Sequence, residues 1–184
     1  MKTLAYIFGQ PGSGKTTLMR EVCSRGQPLY EADSPLKHRA FMSPHGTFAV
    51  LGADAAPFGG TDTLSYTSVK DSPRWLKALA NCSAGGLVFA EGDRLANARF
   101  FAEVAAHYRL LAFYLDCDGE VASSRRSQRA RQHSLSLQSG AWVKGRVTKH
   151  ANLASAHEGT RRLDASKTPA ELAAIVWDSV LAKA

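Results

Sequence analysis

Short apolar runs and amphipathic stretches alternate along the chain, and this alternation predicts its secondary structure. Four runs of five or six residues are mostly apolar, as is typical of buried strands. These runs are 3–8, 47–51, 86–90 and 110–115, with 160–163 as a weaker last candidate. Elsewhere apolar residues recur at the three- and four-residue spacing of helices. The predicted helices are 16–25, a segment opened by Ser72-Pro73, 94–108, 119–132, 141–155 and a segment opened by Thr168-Pro169.

The order of these elements predicts an α/β fold. Strands that alternate with helices form a parallel sheet, and the connecting helices cover both of its faces. We therefore expect a three-layer sandwich with a parallel sheet of about five strands. Residues 27–45 have no clear pattern and are assigned no element. The residues expected to face the core from the helices include Leu18, Met19, Val22, Leu76, Leu79, Ala80, Leu172, Ile175, Val176 and Val180.

The composition is that of an ordinary globular chain. Its 184 residues are 45% hydrophobic and 21% charged, which excludes a disordered, fibrous or disulfide-scaffold protein and suits one domain over residues 1–184. The apolar run from Leu4 to Phe8 is too short for a signal sequence or a membrane span, so we expect no membrane association. Cys23, Cys82 and Cys117 form no CxxC pair and are expected to be buried, reduced thiols of a cytoplasmic protein.

Residues 9–16, Gly-Gln-Pro-Gly-Ser-Gly-Lys-Thr, match the phosphate-binding pattern GxxxxGK[ST] between a predicted strand and a predicted helix. Glycines let successive backbone N–H groups face one phosphate, and the helix N-terminus adds partial positive charge. Lys15 can reach the β- and γ-phosphates, and the Thr16 hydroxyl can coordinate Mg²⁺. The motif therefore predicts a nucleoside triphosphate site. Its expected contacts are Gly9, Gly12, Ser13, Gly14, Lys15, Thr16 and Thr17.

Carboxylates follow two of the predicted strands. Glu91 and Asp93 come directly after the third strand, with Arg94 beside them as a candidate for holding a phosphate or the substrate. Ligands of a doubly wound sheet gather at the carboxyl ends of its strands. One carboxylate there can organise Mg²⁺ together with Thr16, and another can accept the proton of an attacking hydroxyl. Asp62, in a glycine-containing loop after the second strand, competes with Asp54 and Glu91 for the role of base, and an ordinary turn capped by Asp62 is the alternative.

The net charge of +7 is concentrated in one segment. Residues 121–157 contain seven basic and no acidic residues, and the basic residues elsewhere equal the 16 acidic residues in number. The seven are Arg125, Arg126, Arg129, Arg131, Lys144, Arg146 and Lys149. Such a block implies a polyanionic partner, either a phosphate-rich ligand or a nucleic acid. A solvated helix face is the alternative.

The second helix of this segment combines an aromatic residue with cations. Trp142, Arg146 and Lys149 share a face beside an apolar stripe of Val143, Val147, Ala151 and Ala154. An aromatic ring beside cations suits stacking on a base with phosphates alongside, so these three residues are predicted nucleic-acid contacts. Core packing of Trp142 is the alternative. The histidines expected at the surface are His133, His150 and His157.

Together these features resemble the phosphate-loop kinases of nucleosides and nucleotides over nearly the whole chain. The resemblance implies ATP and Mg²⁺ as cofactors. It also implies a basic helical lid over residues 119–157, in which Arg125 and Arg129 would neutralise charge on the transferred phosphoryl group.

A narrower resemblance rests on three stretches, residues 59–65 (GGTDTLS), 91–95 (EGDRL) and 142–149 (WVKGRVTK). They are similar to those of the bacteriophage kinases of thymine hypermodification, the 5-hydroxymethyluracil DNA kinases. This resemblance implies that ATP phosphorylates the hydroxymethyl group of a pyrimidine within DNA, in the cytoplasm of an infected bacterium. Two alternatives stay open: a kinase of free deoxynucleosides or deoxynucleotides, and a DNA-binding module that binds nucleotide without catalysis. The oligomeric state stays open as well.

Overall fold

A computed structural model describes residues 2–33, 36–80 and 86–182, and within them the chain alternates strands and helices. The strands are β1 Thr3–Phe8, β2 Gln27–Ala32, β3 His38–Ser43, β4 Gly46–Leu51, β5 Leu87–Glu91, β6 Arg109–Asp116 and β7 Arg161–Asp164. The helices are α1 Lys15–Cys23, α2 Tyr66–Ala80, α3 Ala98–Ala105, α4 Gly119–Gln132, α5 Gly140–Ala156 and α6 Pro169–Leu181. A 3₁₀ turn covers Thr61–Thr63.

The sheet has seven strands in the order β2-β3-β4-β5-β1-β6-β7. The five strands from β4 to β7 in this order are mutually parallel, and they are the five that the apolar pattern predicts. The expected total of about five strands is too low, because β2 and β3 add an antiparallel extension beside β4. Most of β2 is exposed, and β3 buries the polar residues His38 and Arg39, so neither strand shows the expected hydrophobic pattern.

Helices cover both faces of the sheet, which confirms the three-layer α/β fold. Alternate residues of a strand point to opposite faces, and β1 is buried along its whole length. Leu4 and Tyr6 pack on one side in a cluster with residues of α2 and α3. Ala5 and Ile7 pack on the other side with residues of α1 and α6.

Helix α2 starts seven residues earlier than predicted. The sequence places the helix start at Ser72-Pro73, whereas α2 begins at Tyr66 and contains Pro73 in its interior. A proline has no N–H to donate to the carbonyl four residues earlier, here that of Val69. The Ser72 hydroxyl donates to this carbonyl instead, at 2.8 Å. Because the Val69 carbonyl still accepts a hydrogen bond, the helix can continue through Pro73.

Helix α6 begins as predicted and differs in its buried face. The Thr168 side chain and Glu171 form the predicted capping box. Ile175, expected in the core, is 37% exposed, and Trp177 is buried in its place. The indole N–H of Trp177 donates to the Val22 carbonyl at 3.2 Å, which joins α6 to α1.

The cysteines differ in their burial. Cys23 is buried and Cys117 is half-buried, whereas Cys82 lies outside the described residues. Throughout residues 2–33, 36–80 and 86–182, the helices are all too short or too polar to cross a membrane.

Candidate active site

The phosphate-binding loop connects β1 to α1 at the carboxyl edge of the sheet. Gly12 and Gly14 have φ angles of 87° and 101°, in the left-handed region that favours glycine. A Cβ on Gly12 would collide with the carbonyl oxygen of Ala122 in α4, so the loop and α4 are in direct contact. Ser13 is buried, and its hydroxyl has no partner among the described residues. Thr17 is exposed in the first turn of α1.

Lys15 folds back over this loop. Its Nζ donates to the carbonyl oxygens of Gly9 at 2.9 Å and Gln10 at 3.0 Å. Burial lowers the pKa of Lys15, and the nearby carboxylate of Glu91 opposes that shift. The ammonium group therefore lies at the loop, where it can exchange the two carbonyls for phosphate oxygens.

Glu91, the last residue of β5, faces the first turn of α1. The side chain is 1% exposed, and Oε1 accepts a hydrogen bond of 2.9 Å from the Thr16 hydroxyl. Burial raises the pKa of Glu91 to about 7, with Lys15 lowering it and Asp62 raising it further. A hydroxyl and a buried carboxylate at this distance fit a magnesium ion.

The way magnesium is bound in proteins supports this fit. Mg²⁺ usually keeps several waters and takes one or two carboxylates plus the phosphates of a substrate. Across the described part of the chain, no cluster of three or more His, Cys, Asp or Glu side chains forms a dedicated metal cage. Thr16 and Glu91 would hold the ion in company with the nucleotide, whose charge it would neutralise.

Asp62 joins the loop after β4 to the turn after β5. Its Oδ1 accepts hydrogen bonds from the backbone N–H groups of Asp93 at 3.0 Å and Arg94 at 3.1 Å. The side chain lines the same cleft as Lys15. The competing carboxylate, Asp54, pairs instead with Arg20 at 2.8 Å and lies outside the cleft lining. The structure therefore places Asp62, and not Asp54, in the cleft that contains Lys15.

Asp93 is engaged by three basic side chains of α5. Arg146 and Lys149 lie 2.7 Å and 2.8 Å from its carboxylate oxygens, and His150 Nε2 lies 2.8 Å away. Burial would raise the pKa of Asp93, but its interactions with His150 and Lys149 outweigh burial and hold the pKa well below the usual range. Asp93 thus fastens α5 to the sheet, a role that the sequence does not indicate.

The buried position of His150 corrects a prediction. It was expected at the surface, but it is 1% exposed and packs with its ring centroid 5.9 Å from that of Phe8. Burial lowers the pKa of His150, and Asp93 opposes this shift. His133 is exposed and His157 is half-buried. The helical spacing of Arg146, Lys149 and His150 indicates that the three side chains can contact one common group. The sequence around them does not identify that group as Asp93.

Helix α4 is held to the phosphate-binding loop by two arginines. Arg125 donates to the Ser13 carbonyl at 3.2 Å, and Arg126 donates to the Pro11 carbonyl at 2.8 Å. Arg129, one turn further, lies over the ring of Phe58 at 4.8 Å and lines the cleft. Arg126 was not among the predicted site residues, although its position among the basic residues of segment 121–157 indicated that it could contact phosphate.

Aromatic side chains stand around the opening of the cleft. Trp142 is 41% exposed, with the Arg146 guanidinium 5.2 Å from its ring centroid. This exposure rules out core packing of Trp142. Tyr66 is 79% exposed, with Arg94 at 4.7 Å. Arg94 also donates to the Leu64 carbonyl.

These side chains enclose one cleft of about 470 Å³. The predicted site residues that line it are Gly9, Gly12, Lys15, Thr16, Asp62, Glu91, Asp93, Arg94, Arg129, Trp142, Arg146 and Lys149. Those that the prediction missed include Phe58, Tyr66, Gln138 and His150. Arg125 lies behind the cleft, at the loop backbone.

A lysine-bearing phosphate loop at the carboxyl edge of a parallel sheet, with a buried carboxylate on the neighbouring strand, defines a phosphotransferase of the P-loop class. The family described as P-loop Nucleotide Kinase3 matches residues 1–168. The chain belongs to this P-loop nucleotide kinase family and is a kinase.

Solved structures agree with this fold. A sugar kinase from Janibacter is 17% identical and has a TM-score of 0.58, over 98% of this chain and 96% of its own. A gluconokinase from Sinorhizobium meliloti is 12% identical and has a TM-score of 0.51, over 97% of this chain and 91% of its own. At these identities the likeness concerns the fold. No curated protein matches the sequence.

Proposed function

We propose that this kinase transfers the γ-phosphate of ATP to the hydroxymethyl group of a pyrimidine within DNA. The observation that carries the transfer step is the meeting of Lys15, the Thr16–Glu91 pair and Asp62 around one cleft. The acceptor oxygen attacks the γ-phosphorus, the bond from that phosphorus to the β-phosphate oxygen breaks, and ADP leaves. The proton of the hydroxyl passes to a carboxylate.

The carboxylates divide into two roles in this proposal. Glu91 accepts a hydrogen bond from Thr16, so in this proposal it helps Thr16 to hold Mg²⁺. Asp62 uses Oδ1 to accept two backbone N–H groups. Because those bonds involve one oxygen, the other oxygen remains for the acceptor hydroxyl, and Asp62 serves as the general base. Lys15 and Arg129 neutralise the charge that develops on the phosphoryl group.

The aromatic side chains at the opening favour an acceptor with a planar base. Each of Trp142 and Tyr66 has an arginine on one face and substantial exposure. The opposite face of each ring can then stack on a base, and such stacking contributes about 1–3 kcal/mol per base. The basic segment, residues 121–157, supplies cations for a phosphate backbone. Acceptors without a ring system would leave these side chains unused.

A second candidate, a kinase of free deoxynucleosides or deoxynucleotides, is favoured by one observation. Four of the seven cations in the basic segment have partners within the protein: Arg125 and Arg126 on the loop, and Arg146 and Lys149 on Asp93. Fewer cations than the sequence suggests are therefore free for a DNA backbone.

Acceptor assays distinguish these functions. Labelled γ-phosphate is offered with unmodified DNA, with DNA containing 5-hydroxymethyluracil, and with free hydroxymethyl and ordinary deoxynucleosides and deoxynucleotides. Label in modified DNA alone supports the proposal. Label in the free acceptors alone would replace it with the second candidate. If ATP and DNA bind but label is transferred to none of them, the DNA-phosphorylation proposal is wrong.

The roles of the two carboxylates are tested with shape-conserving variants. Asp62→Asn should lower turnover by about 10²–10⁴-fold with ATP affinity retained. Glu91→Gln should raise the Mg²⁺ concentration needed for half-maximal rate. Asp54→Asn is the matched control, since that carboxylate lies outside the cleft, and it should change neither quantity. Full activity of both cleft variants at low Mg²⁺ would show that other groups carry these roles.

The stacking role of Trp142 has its own test. Trp142→Ala should raise the KM for an oligonucleotide acceptor and leave the KM for ATP nearly unchanged. Leu181→Ala, at the end of α6, removes a large side chain of similar exposure (42% against 41%) and serves as the control. Equal effects of the two variants would remove Trp142 from the acceptor site.

A further inference from the structure

A second cavity, of about 380 Å³, lies between α4 and α5 beside the acceptor cleft. Phe58, Arg129 and Gln138 line both cavities, and Arg129 lies over the Phe58 ring. The stacked pair is therefore a wall common to the two spaces. Anything bound in the second cavity would be a direct neighbour of the acceptor. The volume is within the range of pockets that bind small molecules.

The second cavity is cationic. Arg126, Arg129 and Lys144 line it, and its lining contains no carboxylate. Arg126 is committed to the Pro11 carbonyl. Lys144 is exposed and has no hydrogen bond or ion pair within the described ranges. Such a site favours an anion, and it leaves at least one cation free to meet it.

The remaining residues that line the cavity are suited to binding a planar ring. Leu135, Leu137 and Val143 give it an apolar wall, and Leu137 is 70% exposed, so its side chain is accessible to a ligand. The buried amide oxygen of Gln138 has no hydrogen-bond partner among the described residues. A buried acceptor without a donor is costly. A nucleobase offers both a flat apolar face and the missing N–H.

We propose that the cavity between α4 and α5 binds the nucleotide that flanks the acceptor pyrimidine in a single DNA strand. Lys144 contacts the phosphate, Leu137 packs against the base, and the Gln138 amide accepts a hydrogen bond from it. The proposal rests on the proposed DNA acceptor, since only a polymer supplies a covalently attached neighbour. A cation, an apolar wall and an unpaired amide in one cavity match the phosphate, ring and edge of one nucleotide.

Binding to an unmodified oligonucleotide tests this site independently of catalysis. Fluorescently labelled pentathymidylate is titrated with the wild type, Lys144→Ala, Leu137→Ser and the control Lys77→Ala, an exposed lysine of α2, over a range of salt concentrations. Lys144→Ala should weaken binding several-fold and reduce the slope of log K against log salt by about 0.7. Leu137→Ser should weaken binding without changing the slope. If Lys144→Ala and Leu137→Ser both bind like Lys77→Ala, the site is wrong.

Transfer assays separate this inference from the proposed function. In Lys144→Ala, KM should rise for a trinucleotide with central 5-hydroxymethyluracil and stay unchanged for the corresponding nucleoside. Phosphorylation of the trinucleotide with an unchanged KM would keep the proposed function and overturn the subsite. No phosphorylation of either acceptor, with pentathymidylate binding still dependent on Lys144, would overturn the proposed function and keep a strand-binding site. If thymidine monophosphate competes with the labelled strand as well as the trinucleotide does, the flanking role is wrong.

Discussion

The Thr16 hydroxyl donates a hydrogen bond of 2.9 Å to Oε1 of Glu91. This contact joins the first turn of α1 to the end of β5, two elements that are far apart in the chain. It brings the hydroxyl of the phosphate-binding loop to a carboxylate buried beneath it. The stability and the chemistry of this kinase therefore depend on the same buried group.

Glu91→Gln should change how stability depends on pH. The unfolded carboxyl loses its proton near its ordinary pKa of 4.5, and the folded one near 7. Between these values the folded state binds more protons, so the free energy of unfolding of the wild type falls as pH rises. The glutamine has no charge to bury. The variant should therefore gain stability relative to the wild type as pH rises through this interval, and the difference should level off above about pH 7.

Urea unfolding from pH 4 to pH 8 measures this effect. Glu171→Gln is the control, because its stability relative to the wild type should change with pH in the opposite direction. Hydrogen bonds to Thr168 lower the pKa of Glu171, so this carboxylate contributes stability above its unfolded pKa and loses that contribution on acidification. Glu171→Gln should therefore lose stability relative to the wild type as pH rises through the carboxylate range. A pH-independent difference for Glu91→Gln would contradict the raised pKa.

Gly60→Ala should impair catalysis through Glu91. Gly60 has a φ of 60°, and a Cβ there would lie 2.5 Å from both the carbonyl oxygen and Oε1 of Glu91. The collision would move the carboxylate away from Thr16. We expect turnover to fall at limiting Mg²⁺ and to recover in part at high Mg²⁺.

The control for this prediction is Gly46→Ala. Gly46 also has a positive φ, 103°, but a Cβ there would meet no atom within 4 Å. That variant carries backbone strain without a collision, so it should lose stability and keep its Mg²⁺ dependence. The same Mg²⁺ dependence in both variants would mean that Gly60 matters only for its backbone conformation.

Asp93→Asn should loosen α5. The substitution removes the charge that Arg146, Lys149 and His150 share. The carboxylate is partly exposed, so we expect a loss on the order of 1–2 kcal/mol in the free energy of unfolding at neutral pH. The pKa of Asp93 is lowered, so the stability that the carboxylate contributes is fully present above its unfolded pKa, near pH 4. The difference from wild type should shrink as pH falls below that value and disappear only below the lowered pKa of the folded state.

Asp116→Asn is the matched control for Asp93→Asn. Asp116 pairs with Arg162 at 3.3 Å, and both side chains are more than half exposed. Exposed pairs of this kind contribute about 0–1 kcal/mol. Hydrogen exchange of the α5 amides should increase in Asp93→Asn and not in Asp116→Asn. Equal protection of α5 in the two variants would refute the fastening role of Asp93.

Lys15→Ala should abolish phosphoryl transfer and leave the fold intact. The charge that Lys15 brings to the phosphates is worth about 10²-fold or more in turnover. Burial lowers the pKa of Lys15, so its removal takes an unfavourable charge from the loop, and thermal unfolding should not occur at a lower temperature. Lys70→Ala, an exposed lysine of α2, should retain full turnover. Measurable transfer at near-normal rate by Lys15→Ala would remove the loop from the mechanism.

The sequence alone was sufficient for features whose causes are local. The phosphate-binding loop needs glycines at particular backbone angles, so a pattern of eight residues predicts it, and the Thr168 capping box is equally local. Four of the five parallel strands, β1, β4, β5 and β6, are apolar runs that the hydrophobic pattern identifies, whereas β7 buries only Leu163 and gives a weaker signal. Whether DNA is the acceptor stays a prediction, since it depends on a partner.

Tertiary structure alone decided which charges meet. The sequence counts seven cations in residues 121–157, but only packing directs Arg125 and Arg126 to the loop carbonyls and Arg146 and Lys149 to Asp93. The same holds for β2 and β3, whose exposed or polar residues become strands because β3 pairs with β4 and β2 pairs with β3. An ion pair or a sheet edge depends on which distant segments come together in the fold. The local sequence around either partner does not specify the other partner.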